Sequence, residues 1–339
     1  MKIKLLQHDF FGAPPEALEL IETEPRELAQ GELLIEIEAA PIHAGDLYNI
    51  EGLPIMLRGG DLGGLPEVSL PQIPGIEGVG RVVEVGPGCD GIWSNGKRAF
   101  LPAQCGSWRS HIIAKAEEVI PAPEGDAVQL SLMVNPITAY FALNQLMADL
   151  KPDEWLIQNC ANSNVGRALV KLASLKGIRT VNIVRSEAAG APLKDMGADV
   201  IAIDGPDVAG QVRDATGGAK IRWGLDGVAG AATARMAECI CDRGTIANYG
   251  MMSGEECRVP CNLLLYRRIS LIGFYAGYNL IETPREEVVH IWRHIGDMVA
   301  DGTLSAAIAA TYRLEDYKQA VDHAAQSGSA RLGKVVFTP

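Results

Sequence analysis

Hydrophobic and polar positions follow two rhythms along this chain. Up to about residue 122 the apolar residues alternate or sit in short runs. GELLIEIEAAPI alternates strictly from Leu33 to Ala39, GRVVEVGPG is a run that ends in a turn, and HIIAKAEEVIPAP is a run closed by prolines. A period of two puts alternate side chains on one face of a strand, so this region predicts β structure. From about 125 to 275 the rhythm becomes strand–helix–strand. WLIQNCA reads as a buried strand and VGRALVKLASLKG as a helix closed by Gly177; TVNIVR is a second strand, PLKDMGA is helical, and DVIAID is a third strand. WGLDGVAG, GTIANYG and ISLIGFYAG follow, each apolar with a glycine at its exit. Repeated βα units with short connections predict a parallel, doubly wound sheet. The last segment predicts two helices, REEVVHIWRHIGDMVADG and LEDYKQAVDHAAQSG, and a closing strand in GKVVFTP. Residues 52–75, rich in Gly and Pro and without periodicity, read as a long surface loop.

The connection NCANSNVGRALV, from Asn159 to Val170, is the first place where pattern suggests chemistry. Strand, tight turn and helix are the layout of a dinucleotide-binding unit, which holds a pyrophosphate on N–H groups at the start of its first helix. Such a turn usually carries G-x-G-x-x-G, and here only Gly166 remains. Asn is the best non-glycine residue where φ is positive, so Asn162 and Asn164 are expected to supply the backbone shape, with Ser163 and Val165 beside them. An ordinary polar βα loop capping a helix is the competing reading. The next strand favours the cofactor. A NAD-binding unit places an acid about 20 residues on, for the ribose 2′-hydroxyl. Here the strand ends in Val184-Arg185-Ser186, and an arginine suits a 2′-phosphate, so NADP(H) is the expected cofactor.

Composition narrows the field. At 339 residues, two domains are the natural expectation, and 47% hydrophobic with 21% charged residues is an ordinary globular balance. A net charge of −12 argues against a nucleic-acid partner. No apolar run reaches the length that spans a bilayer, and the start goes directly into strand-like alternation. Seven scattered cysteines with no C-x-x-C pair indicate neither a disulfide framework nor a zinc knuckle. A reduced, cytoplasmic protein is the expectation.

PGIEGVGRVVEVG places Gly75, Glu77, Gly80 and Gly86 at the spacing of G-H-E-x-x-G-x5-G, and on those residues the chain resembles the medium-chain dehydrogenase/reductase superfamily over nearly its whole length. QNCANSNVGRALVKLASLKGIRTVNIVR is similar to the mitochondrial-type trans-2-enoyl thioester reductases, whose turn also has Asn-Ser and few glycines. GSWRS, NPITAY, YGMM and the C-terminal GK before a strand add to that likeness. Quinone oxidoreductases are the neighbouring branch. The resemblance implies an α/β fold in which a GroES-like β-rich catalytic domain, residues 1–123 and 277–339, joins a Rossmann NADP-binding domain, residues 124–276, with the substrate in the cleft between them. It also implies a homodimer paired through the ISLIGFYA strand.

The superfamily includes zinc alcohol dehydrogenases, and catalytic zinc needs three protein ligands. The usual Cys of C-H-x-D aligns with His43, the usual His of G-H-E with Ile76, and the third ligand falls near Asn135; one possible ligand of three does not hold zinc. The four-cysteine structural lobe is absent. His290 and His294 lie i,i+4 on a predicted helix, without a third ligand, and read as helix surface. No metal is expected.

Without a Lewis acid, an activated C=C is an easier target than an isolated ketone. Hydride adds at the β-carbon, charge gathers on the carbonyl oxygen, and the protein supplies hydrogen bonds and a proton. Quinone oxidoreductases carry a tyrosine in a D-x-Y stretch, here Asp46-Leu47-Tyr48, and a phenol can donate to the oxyanion. A tyrosine merely packed against the cofactor is the rival reading. The enoyl reductases place their own tyrosine after I-Q-G-x, where this chain has Ile50-Glu51-Gly52 followed by Leu53-Pro54-Ile55. By resemblance Asn135 would face the nicotinamide amide, and Asn162, Ser163, Asn164, Val165 and Gly166 would hold the pyrophosphate. Arg185 and Ser186 would take the 2′-phosphate; Tyr249, Gly250, Met251 and Met252 would form the loop under the adenine-side ribose and pyrophosphate. Phe274, Tyr275 and Ala276 would lie beside the nicotinamide, and Lys334 would close on the cofactor. Core packing is the rival for each, Phe274 and Met252 above all. Trp108 would line the acyl cleft or stand on an exposed strand. The leading reaction is NADPH-dependent reduction of a 2-enoyl thioester or similar α,β-unsaturated carbonyl; a quinone or alkenal reductase and a non-catalytic NADPH-binding protein are the alternatives.

Overall fold

Two sheets of different character organise the chain. The structure, a computed structural model, describes residues 1–53, 69–89, 91–326 and 332–339. The expected loop at 52–75 and the Pro54-Ile55 comparison fall largely outside the described residues. Two compact units part at 134/135 and 288/289: Met1–Val134 with Val289–Pro339, and Asn135–Val288. The partition expected from sequence puts 124–134 and 277–288 in the other unit.

After the antiparallel pair β1 (Ile3–His8) and β2 (Leu18–Thr23), the first unit is built on β3 (Glu32–Pro41), which pairs antiparallel with β4 (Val79–Val85), β6 (His111–Lys115) and β15 (Lys334–Phe337). β5 (Arg98–Phe100) and β7 (Ile120–Pro121) extend the β4 side, and β14 (Ile308–Tyr312) runs parallel to β15. The last strand therefore lies beside residues near 40, so the chain end completes this unit. Leu33, Leu34 and Ile35 are all buried, because this long strand is covered on both faces. The alternation expected from Leu33 fails at Leu33-Leu34-Ile35, three apolar residues in a row that are all buried.

Trp108 corrects one expectation. It is fully buried, its indole N–H donates to the Pro41 carbonyl at 3.1 Å, and its ring meets Phe337 edge-on at 5.2 Å. It is a core residue of the first unit, where truncation to Ala costs about 3–5 kcal/mol, and it lines no cleft.

The second unit is the doubly wound sheet. Its strands are β8 (Trp155–Gln158), β9 (Arg179–Val184), β10 (Val200–Ile203), β11 (Ile221–Asp226), β12 (Thr245–Asn248) and β13 (Ser270–Gly273). All five pairings are parallel, in the order β10-β9-β8-β11-β12-β13. Ile157, Val181, Ile183, Met236 and Ile246 form its core. The order reverses between β8 and β11, and ligands bind outside the carboxyl ends of strands at such a reversal. The second helix of this unit begins earlier than PLKDMGA suggests: it runs Glu187–Asp195, with Ser186 as its N-cap.

Candidate active site

The reversal point is held by side chains that the sequence does not advertise. Asn159, the residue after β8, donates from Nδ2 to Asp226 Oδ1 at 2.6 Å and accepts the Gly227 N–H at 2.8 Å. Asp226, at the end of β11, is fully buried. It also accepts the N–H groups of Val228 and Ala229 at 3.0 and 3.1 Å and the Thr233 hydroxyl at 2.6 Å. A buried carboxylate persists only when its oxygens are satisfied, and these donors satisfy them. The ends of β8 and β11 are thereby locked side by side. An acid closing an apolar strand, LDG, was the available signal.

The turn itself departs from expectation in one respect. Neither Asn162 nor Asn164 takes the left-handed backbone; Cys160 does, at φ 52°. Asn164 instead opens the first turn of the helix Asn164–Leu175, and Ser163 is its N-cap, accepting the Gly166 N–H at 3.1 Å. An N-cap is extended and a helical residue is right-handed, so the positive φ falls upstream. Gly166 keeps its glycine for packing. A Cβ there would stand 2.5 Å from the Ala161 carbonyl oxygen. The helix can start this close to the strand only if residue 166 has no side chain.

The loop after β12 meets this turn. The Tyr249 phenol lies against the Ser163 hydroxyl and the Cys160 thiol, and its burial pushes its pKa up. Gly250 passes so near the chain that a Cβ would be 2.8 Å from the Gly227 oxygen. Met251 and Met252 are exposed. Arg185 and Ser186 are exposed at the tip of β9, and Arg185 makes no ion pair among the described residues. Ser186 spends its oxygen on the Ala189 N–H at 3.4 Å. Phe274 is buried, with its N–H on Asn248 O at 2.8 Å, while Tyr275 is exposed and Ala276 is half-buried. Asn135, on the helix Val134–Phe141, is buried, and its Nδ2 has no acceptor. An unpaired buried donor costs about 1–3 kcal/mol, which a ligand oxygen would recover. Among these residues Ser163, Gly166, Tyr249 and Gly250 converge at the reversal point; Asn135, Arg185 and the Phe274 group are placed separately around their unit.

The first unit holds a second cluster. Tyr48 is half-buried on α1 (Ala44–Glu51), and its hydroxyl has no partner among the described residues. Asp46, in the first turn of that helix, accepts the His43 N–H at 2.8 Å. The His43 ring is bonded at both nitrogens: Nε2 lies 2.6 Å from Glu77 Oε1 and Nδ1 lies 2.9 Å from Lys334 Nζ. Glu77 Oε2 accepts the Val134 N–H at 2.6 Å. Burial and the Lys334 charge hold His43 down at about 3, so its contact with Glu77 is a hydrogen bond of a neutral imidazole. Burial lifts Glu77 to about 8 and Asp46 to about 6. The Cys105 thiol, close enough to feel both acids, is pushed up to about 12, chiefly by burial. Lys334 therefore sits on His43. Glu77, visible in the sequence only as a signature residue, is at the centre of the cluster. Among the described residues no group of three or more His, Cys, Asp or Glu is arranged to hold a metal ion. His290 and His294 are exposed and stacked on the helix Arg285–Ala300.

Comparison with known proteins follows the same division. The alcohol dehydrogenase GroES-like domain family matches residues 29–124, and the zinc-binding dehydrogenase family matches residues 164–293. The mitochondrial enoyl-[acyl-carrier-protein] reductase of Xenopus tropicalis is 28% identical over 326 residues, 93% of this chain and 90% of the frog protein. A Bacillus thuringiensis structure assigned as an NADPH:quinone reductase superposes with a TM-score of 0.86 at 25% identity, covering 100% of this chain and 99% of that one. A mutant enoyl thioester reductase of Candida tropicalis shares the fold at a TM-score of 0.85 and 19% identity, with both chains fully covered. With both family matches in sequence order, and relatives aligned from end to end, this chain belongs to the medium-chain dehydrogenase/reductase superfamily, in the part that holds the enoyl reductases and quinone oxidoreductases.

Proposed function

We propose that this chain is a zinc-independent, NADPH-dependent oxidoreductase that reduces the C=C bond of a 2-enoyl thioester or a similar α,β-unsaturated carbonyl. The end-to-end relationship to enoyl reductases carries this reading. NADPH, when bound, supplies the hydride. The residues fit it: a helix N-terminus at Asn164 behind a glycine-dependent turn, an exposed Arg185 for the 2′-phosphate, and a buried Asn135 amide lacking an acceptor. In this reading Ser163, Val165 and the first helical N–H groups take the pyrophosphate, and Arg185 takes the added phosphate through charge-assisted bonds. Tyr48 gives a hydrogen bond to the oxygen on which charge develops, its hydroxyl having no partner among the described residues.

Quinone reduction is the second reading. It is favoured by the Bacillus relative and by Leu53-Pro54-Ile55, which holds no tyrosine where the enoyl branch places its own after I-Q-G-x. One experiment separates the two: rates of NADPH consumption with crotonyl-CoA, a longer 2-enoyl-CoA and a simple quinone, for the wild type and Tyr48→Phe. Turnover of the thioesters that falls at least about tenfold in the variant supports the proposal, since one donor to a developing oxyanion is worth that much or more. Quinone turnover alone moves the enzyme to the neighbouring branch.

The proposal includes a homodimer. β13 ends the sheet with every residue exposed, including Leu271 and Ile272, and such an edge offers unpaired N–H and C=O groups to a second copy. Cytoplasmic residence is also proposed, on seven free thiols. No described helix is long and apolar enough to cross a membrane. Mitochondrial residence, as in the names of the relatives, is the outcome that cell fractionation would reveal instead.

A further inference from the structure

The hydrogen bonds around His43 leave little freedom in where its protons lie. An ammonium has donors only, so Lys334 at 2.9 Å requires Nδ1 to accept. A neutral imidazole then carries its hydrogen on Nε2, which donates to Glu77 Oε1 at 2.6 Å. Glu77 completes the chain by accepting the Val134 N–H on its other oxygen, at the start of a helix, where negative charge is favoured. With the ring neutral, moving both protons one step along gives the other fully bonded arrangement: an amine, an Nδ1–H imidazole and a carboxylic acid. In either arrangement His43 donates with one nitrogen and accepts with the other. The ring is 8% exposed and Glu77 is 6% exposed, so solvent cannot take over either bond.

We infer that His43 and Glu77 are positioning residues for Lys334. The imidazole bridges the Glu77 carboxyl group, held by the Val134 backbone, to the Lys334 nitrogen on β15, and so aims the side chain that the family resemblance brings to the cofactor from this strand. The inference rests on that reading of Lys334. The remaining titratable neighbours are Asp46, which holds the His43 backbone, and the neutral Cys105 thiol, with Arg109 beside it, whose guanidinium donates to the Gly106 and Cys105 carbonyls. None of them replaces the bridge. His43 occupies the position of a zinc ligand in metal-dependent relatives, and here the same position serves to orient a lysine.

Glutamine tests this directly, because its amide offers one acceptor and one donor group at about the reach of an imidazole, whereas leucine offers neither. The measurement is NADPH affinity, read by fluorescence of the bound cofactor without any turnover, for the full-length wild type, His43→Gln, His43→Leu, Lys334→Met and His43→Leu/Lys334→Met. The inference predicts about tenfold weaker binding for His43→Leu and Lys334→Met, the worth of one charge-assisted hydrogen bond. It predicts binding within about threefold of the wild type for His43→Gln, and no further loss in the double variant. Additive losses would overturn it, as would wild-type affinity in His43→Leu, or loss in Gln equal to that in Leu. If His43→Leu does not fold, Glu77→Met with Lys334→Met runs the same cycle, and additivity there overturns it equally. Normal affinity in Lys334→Met removes the lysine from the cofactor and the inference with it. No NADPH binding by the wild type would instead sink the cofactor reading itself.

Discussion

The turn at Asn159–Gly166 and the cluster at His43 do their work by different means. In the turn, the proposed function is carried by backbone: a left-handed Cys160, a capped helix start and a glycine pressed against Ala161. In the cluster it is carried by side chains from 43, 77 and 334, which no local pattern relates. A backbone site tolerates changes in residue type as long as shape survives, which is how, in the proposed reading, a cofactor turn works with one glycine. A side-chain site tolerates shape changes less than it tolerates loss of a donor or acceptor. The two should therefore fail differently.

The largest effect is expected where the turn region does depend on a side chain. Asp226→Ala leaves Asn159, Thr233 and two backbone N–H groups unpaired in the interior, and should cost about 3–5 kcal/mol in urea unfolding. A loss below about 1 kcal/mol would mean that water reaches these donors. Next comes Gly166→Ala. A single methyl group 2.5 Å from the Ala161 oxygen should cost about 2–3 kcal/mol and abolish NADPH binding, with the first unit unaffected.

A similar cost is expected of pH in the cluster. Burial raises Glu77 from 4.5 to about 8, so the folded state holds that proton more tightly than the unfolded chain. Its stabilisation is complete below pH 4.5 and is lost as pH rises through 8. His43, held down at about 3 against 6.5, acts in the opposite sense below 6.5, and Asp46 titrates only up to about 6. The clean window is therefore 6.5 to 8, across which unfolding free energy should drop by roughly 2 kcal/mol. In Glu77→Gln the drop should vanish; a persistent slope would assign it to another group. The smallest effect belongs to Arg185→Ala, which should lower the preference for NADPH over NADH by about tenfold, one exposed charged contact, without changing stability. Unchanged preference would remove Arg185 from the 2′-phosphate.

How much was legible follows the same contrast. The parallel sheet was readable because each βα unit repeats its own local rhythm and each strand exits at a glycine. Gly166 has a packing reason of its own, the close approach of the helix to Ala161. The asparagines were misplaced because composition says which residues tolerate positive φ, while the start of the helix decides which residue must adopt it. Trp108 was unreadable as core, since its cover, Phe337, arrives from the far end of the chain. The bridge was invisible for the same reason: 34 residues separate His43 from Glu77 and 291 separate it from Lys334. Only the return of β15 to the end of β3 brings them together.

The most direct test of the central claim follows the two hydrogens. The enzyme is incubated with crotonyl-CoA and NADPH deuterated at the transferable position, and the acyl-CoA product is weighed by mass spectrometry. The account predicts the saturated thioester with one deuterium from the cofactor and one hydrogen from water. Recovery of unchanged crotonyl-CoA, from enzyme that binds NADPH and consumes it with a quinone, would contradict it.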